Sequence, residues 1–89
     1  MEERVFLPGD IVKHFKRETL SEEESATNMY LYKIVGLAEH TETGEKLMVY
    51  KAMYDKELMC ARPLEMFMGE VDRDKYPDIK QRYRFEKAE

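Results

Sequence analysis

The stretch from Met29 to Tyr54, MYLYKIVGLAEHTETGEKLMVYKAMY, constrains the fold more than any other part of the chain. It reads as one long antiparallel hairpin with roughly ten residues in each arm, because both arms are rich in β-branched and aromatic residues and are bounded by turn chemistry. The turn is Thr41-Glu42-Thr43-Gly44. Gly44 supplies the positive φ that a type I turn followed by a G1 bulge requires. Such a turn sets Thr41 opposite Glu45, and the register follows: Tyr32 faces Tyr54, Ile34 faces Ala52, Gly36 faces Tyr50 and Ala38 faces Met48. Side chains alternate across a strand, so these eight share one face. That face carries no formal charge until His40 and Lys46 at the tip, and Tyr50 is expected to lie over Gly36. The opposite face mixes Leu31, Val35, Leu37, Leu47, Val49 and Met53 with Lys33, Glu39, Lys51 and Asp55. The uncharged face is therefore the predicted core and the mixed face a rim. A one-residue slip would exchange the two sets, so burial should specify the register firmly.

The flanking segments are shorter. Met1 to Leu7 is a lead, and Pro8-Gly9-Asp10 is a turn signal. Asp10 to Lys16 reads as a first strand, with Ile11 and Phe15 on one face and Val12 and His14 on the other. Arg17 to Asn28, RETLSEEESATN, is an acidic loop insertion of solvated character, with Ser21 and Glu24 spaced to nucleate a short helix through a capping box. Asp55-Lys56-Glu57 makes a second tight turn, and Leu58 to Arg62 a fourth strand that Pro63 ends. Pro63 suits the first position of a helix. Leu64 to Met68 then forms one helical turn closed by Gly69, its Leu64, Phe67 and Met68 plugging an open barrel end. After a polar stretch with a turn at Tyr76-Pro77-Asp78, Gln81 to Lys87 alternates as a fifth strand, Tyr83 and Phe85 inward. The reading is mainly β: residues 1–89 as a single small five-stranded, partly open SH3-like barrel, with one short helical turn before the last strand and an acidic insertion at 17–28. An OB-type barrel would want a longer helix between strands three and four.

Composition bounds the function. Net charge is −4, which argues against a general nucleic-acid or anionic-membrane binder, since both depend on cationic surface. One cysteine, Cys60, permits no intrachain disulfide, which fits a reducing compartment. The acidic, run-free start carries no secretory signal, and no stretch approaches the ~20 apolar residues of a membrane span. A cytoplasmic protein is expected, as monomer or weak homodimer.

HFK at His14 to Lys16, HTETGE at His40 to Glu45, the VYKAMY run, RPLEMF at Arg62 to Phe67 and RF at Arg84-Phe85 resemble the bacterial family catalogued as domain of unknown function 1653. The resemblance runs from Pro8 to Phe85. It implies an SH3-type barrel and a small stand-alone protein, and it brings no catalytic residues. The chain departs from the family pattern in the insertion after HFK and in lacking a bulky aromatic near Met59 or Cys60.

No catalytic or metal motif is complete. Two histidines and one cysteine lack the paired ligand spacing of a structural zinc site, so no metal is expected. Gly36, Gly44 and Gly69 are isolated, so no glycine-rich phosphate loop exists, and no cofactor is expected. An enzyme would have to assemble His14, His40 and Cys60. The remaining signal is aromatic and basic. Arg62 and Arg84 should lie on neighbouring strands, and with His14 they could form an anion-holding cluster beside Tyr50, with Tyr83 and His40 as further candidates. The expected function is a binding or interaction module holding a peptide, a protein or a small anionic ligand on an aromatic and arginine-lined face. The alternative is an RNA-binding accessory domain using Lys80, Arg82 and Arg84.

Overall fold

The structure is a computed structural model that describes residues 5–55 and 57–88. Met1 to Arg4 of the lead and Lys56 of the second turn lie outside the described residues. Five antiparallel strands form one sheet that does not close: β1 (Ile11–His14), β2 (Leu31–Glu39), β3 (Lys46–Ala52), β4 (Met59–Pro63) and β5 (Phe85–Lys87), in the order β4-β3-β2-β1-β5. Two short helices, α1 (Glu22–Ser25) and α2 (Leu64–Phe67), complete the elements together with a 3-10 helix at Phe15–Thr19. Among the described residues no helix is long and apolar enough to cross a membrane.

The hairpin forms in a different register, and its predicted core face is buried only in part: Tyr32, Ile34, Met48, Tyr50 and Ala52 are buried, whereas Ala38 and Tyr54 are exposed. His40 N–H donates to the Glu45 carbonyl and Gly44 N–H to the His40 carbonyl, so Thr41 to Gly44 all belong to the loop and His40, not Thr41, faces Glu45. Gly44 sits at φ +75°, where a side chain would be strained. Further down, Tyr32 pairs with Ala52 and Ile34 with Tyr50, and a bulge between Ile34 and Gly36 absorbs the offset before Gly36 pairs with Val49. Tyr50 therefore faces Ile34 rather than lying over Gly36. The bulge inserts one residue and so reverses the side-chain alternation of β2 relative to β3. Met48, Tyr50 and Ala52 stay buried along β3, whereas β2 past the bulge runs out beyond the core, with Leu37, Ala38 and Glu39 all exposed.

The main core gathers Val12, Tyr32, Ile34, Met48, Tyr50, Ala52, Phe67 and Phe85. Phe67 and Phe85 stack at 4.1 Å with an 8° interplanar angle, and fully burying one such ring contributes roughly 1.5–3 kcal/mol. The helix after Pro63 thus plugs the open end as its spacing predicts, with Pro63 in the capping position just before it. The first strand stops at His14, two residues short of its predicted end. Phe15 turns into the 3-10 helix and joins Val71 and Ile79 in a second, smaller cluster, against which Tyr76 packs.

Polar side chains fasten the two long connections. Ser21 and Glu24 form a reciprocal capping box on α1, and Arg17 donates to the carbonyls of Ser25, Thr27 and Met29. Glu18 accepts the backbone N–H groups of Lys80 and Gln81 at 2.9 and 2.7 Å. Gln81, 7% exposed, donates to the carbonyls of Lys13 and Tyr83, and Arg73 donates to those of Ile79 and Gln81. These bonds hold the segment before β5 against the end of β1.

Candidate functional site

Where β1 ends, four parts of the chain meet around an open cleft of about 230 Å³. His14 and Lys16 come from the end of β1 and the 3-10 helix, Arg62 from β4, Asp72, Lys75 and Tyr76 from the connection before β5, and Arg84 from the residue preceding β5. The backbone geometry follows from the ladder: His14 pairs with Phe85, and Phe15 N–H donates to the Arg84 carbonyl at 3.0 Å. His14 and Arg84 are therefore held side by side, although they are far apart in sequence.

His14 sits in an aromatic collar. Its ring lies 4.3 Å from Phe15, 5.0 Å from Phe85 and 5.8 Å from Tyr30. Tyr30 adopts φ +63°, an uncommon conformation for a bulky residue that costs on the order of 1–3 kcal/mol. Burial, and then the charges of Arg62, Lys16 and Arg84, push the His14 pKa down to about 4. The imidazole is thus neutral near pH 7. Its Nδ1 accepts the Lys16 backbone N–H at 3.1 Å, which places the ring proton on Nε2 as a donor.

Arg62 carries its guanidinium 5.7 Å over the Phe85 ring, and the Tyr50 ring lies 5.5 Å from that of Phe85. Tyr50 is 4% exposed. Its pKa is raised, chiefly by burial, against the pull of Arg62. Tyr50 is therefore part of the core behind Arg62 and does not line the cleft. Arg84 makes one long contact to the Met66 carbonyl at 3.5 Å. Among the described residues, Lys46, Arg82 and Lys87 form ion pairs, with Glu39, Glu70 and Asp10 respectively, whereas Lys16, Arg62, Lys75 and Arg84 form none. Asp72 is the acid of the cleft, and its Oδ1 accepts the N–H groups of Asp74 and Lys75. Four cations against one carboxylate leave three surplus positive charges in one concavity of a chain whose net charge is −4.

Of the residues singled out by sequence, His14, Arg62 and Arg84 line this cleft and Tyr50 lies in the core behind Arg62. Tyr83 lies elsewhere, bridged to Glu70 with Arg82 5.2 Å over its ring. His40 is at the hairpin tip, its Nδ1 accepting the Glu42 N–H at 3.2 Å. Cys60 faces Tyr50, and Glu45, opposite His40, is five residues along β3. At 3.3 Å per residue that is roughly 16 Å, too far for His40 and Cys60 to act on one atom. Among the described residues no three His, Cys, Asp or Glu side chains converge as a metal would need. Sequence reading missed Lys16 and Lys75 and did not single out Tyr76 from the other aromatics. Lys16 had a signal, being next but one to His14 in HFK. Lys75 and Tyr76 sit in an aperiodic polar stretch and are brought in by the second cluster.

No curated protein and no solved structure matches the chain. A family model does match, over residues 10–87, a span that contains every strand from β1 to β5, and the chain therefore belongs to the family described as protein of unknown function, DUF1653.

Proposed function

We propose that this protein is a non-enzymatic binding module, built on a small SH3-like barrel and working in the cytoplasm, that holds an anionic group of a peptide or small ligand between His14, Arg62 and Arg84. The observation that carries the reading is the surplus of cations in the cleft. Like charges gathered in a concavity repel one another, and an anion entering it relieves that repulsion while gaining charge-assisted hydrogen bonds. Arg62 is held over the Phe85 ring, so it loses less freedom on binding than an unsupported side chain would. The strand order, with β5 beside β1 and a helical turn between β4 and β5, supports the SH3-like reading, and the single cysteine supports a reducing compartment.

The test is an amide-resolved NMR titration of the full chain with sulfate and with a short peptide bearing a free C-terminal carboxylate. Shifts should concentrate at His14, Lys16, Arg62 and Arg84. Hydrogen bonds to charged groups contribute about 1.5–3 kcal/mol, so Arg62→Ala or Arg84→Ala should each weaken the dissociation constant about 10- to 100-fold. A circular-dichroism melt should show that the variants are folded. Affinity unchanged in both variants would remove the cleft from consideration.

A further inference from the structure

We propose that the group the cleft takes is the doubly charged terminal phosphate of a small phosphate monoester; this rests on the anion-holding reading above and narrows it to one chemistry.

Charge number is the first argument. Three surplus positive charges surround the void. A carboxylate or a phosphodiester brings one negative charge and leaves most of that surplus unmatched. A terminal phosphate at neutral pH brings nearly two, together with three acceptor oxygens. Direction is the second. The cations come from four different parts of the chain: Lys16 on the 3-10 helix, Arg62 on β4, Lys75 before the Tyr76-Pro77 turn and Arg84 before β5. Donors converging from several sides suit a tetrahedral group better than a flat one. Arginine forks and lysine point charges are both phosphate ligands. Size is the third. At about 230 Å³ the cleft is smaller than the roughly 300–1,000 Å³ that encloses a whole drug-sized ligand. It has room for a charged head, with its carrier left at the rim beside Tyr76.

His14 fits the same chemistry. Its Nδ1 is occupied by the Lys16 N–H, leaving Nε2–H as a neutral donor. The groups facing it are Lys16, Arg62 and Arg84 from three elements and Tyr30 from the chain before β2, while Asp72 and Lys75 share the cleft. Lysine and arginine are ordinarily cations throughout pH 5 to 8, and His14, its pKa lowered to about 4 by burial, is mostly neutral over that range. The pH dependence of binding there should follow the ligand, whose second ionisation lies near about pH 6.

The experiment titrates the full wild-type chain, in a buffer free of phosphate, with glycerol 1-phosphate at pH 5.0 and 7.5, and with dimethyl phosphate and acetate as comparators. Only about a tenth of the monoester is dianionic at the lower pH, so glycerol 1-phosphate should bind about tenfold tighter at pH 7.5. Dimethyl phosphate and acetate should be at least about tenfold weaker at pH 7.5; dimethyl phosphate, singly charged at both pH values, should show no pH trend, and acetate, partly protonated at pH 5.0, should change by less than about twofold. Equal affinity at the two pH values, tighter binding at pH 5.0, or acetate matching glycerol 1-phosphate would overturn the proposal. If acetate still shifts the His14, Arg62 and Arg84 resonances, the anion-holding reading survives. If no anion moves them, both fall.

Discussion

Burial and three neighbouring cations make His14 a residue whose charge the folded state refuses. The consequence for stability has a definite sign. The folded pKa is about 4 against an ordinary value of 6.5. Below pH 6.5 the unfolded chain takes up a proton that the native chain does not, so stability falls as pH drops from 6.5 towards 4. Carboxylates also destabilise proteins in acid, so the test is a difference. Urea unfolding at pH 7.5, 5.5 and 4.5 should show a steeper loss for wild type than for His14→Gln, with parallel behaviour above pH 7. Identical slopes would mean that His14 protonates freely in the folded chain. How far this site was readable from sequence depends on what holds each residue. The β1–β5 ladder brings His14 and Arg84 together, whereas Arg62, expected on a strand neighbouring that of Arg84, stands on β4 at the opposite edge of the sheet and lines the cleft without any strand pairing between the two. His40 and Tyr83 had the right chemistry but are engaged elsewhere, by the Glu42 amide in a turn and by Arg82 beside a bridge. Lys75 and Tyr76 are placed by tertiary packing, which leaves no local periodicity to read.

At the scale of elements, the hairpin shows which features local chemistry settles. Polarity identified the buried face of β3, and the capping box at Ser21 and Glu24 formed as its spacing implied. The register was not readable. The loop holds one residue more than a three-residue G1 turn, and the bulge before Gly36 shifts β2 against β3. Val35 has no special composition that would announce it. The acidic insertion, expected as a solvated loop, is tied to the preceding 3-10 helix by one side chain: Arg17 spans the carbonyls of Ser25, Thr27 and Met29, while the capping box of Ser21 and Glu24 and the hydroxyl of Thr27 act within it. α1 contains no apolar residue and buries none of its side chains, so hydrogen bonds rather than packing hold it. Arg17→Ala should speed hydrogen exchange at Ser25 and Ala26 by at least about tenfold, the effect of losing ~1.4 kcal/mol of local protection. The β2–β3 ladder should exchange as before. Unchanged rates in the insertion would assign its order to the bonds within it.

For the whole molecule, the division of the apolar residues into two clusters matters most. The larger draws on β1, β2, β3, β5 and α2, and the smaller is a patch of Phe15, Val71 and Ile79 at the connection before β5. A small satellite cluster should open before the main core does. Amides at Val71 and Tyr76, bonded to Arg82 and Asp72, should exchange through openings below the global unfolding free energy. Ile79→Ala should lower that local opening energy by about 2–5 kcal/mol and the ladder amides of Tyr50 and Ala52 by less. Equal losses at both places would make the two clusters one cooperative unit, and the cleft walls would then be as rigid as the sheet.

β1 begins where β5 ends. Val12 pairs with Lys87, Ala88 N–H donates to the Ile11 carbonyl at 3.0 Å, and Lys87 reaches the Asp10 carboxylate at 3.7 Å. In circular order the sheet is continuous, and the point at which the chain is cut is a separate choice from its architecture. A permuted chain, joined from Ala88 back to the lead and opened in the Thr41–Gly44 loop, would keep the same ladders while exchanging which of them is local. The β5–β1 pair would become a hairpin and the β2–β3 pair the long-range closure. Since folding speed follows the sequence distance between contacts, such a permutation would reorder the folding route while leaving the cleft's walls, all of them outside the opened loop, in place.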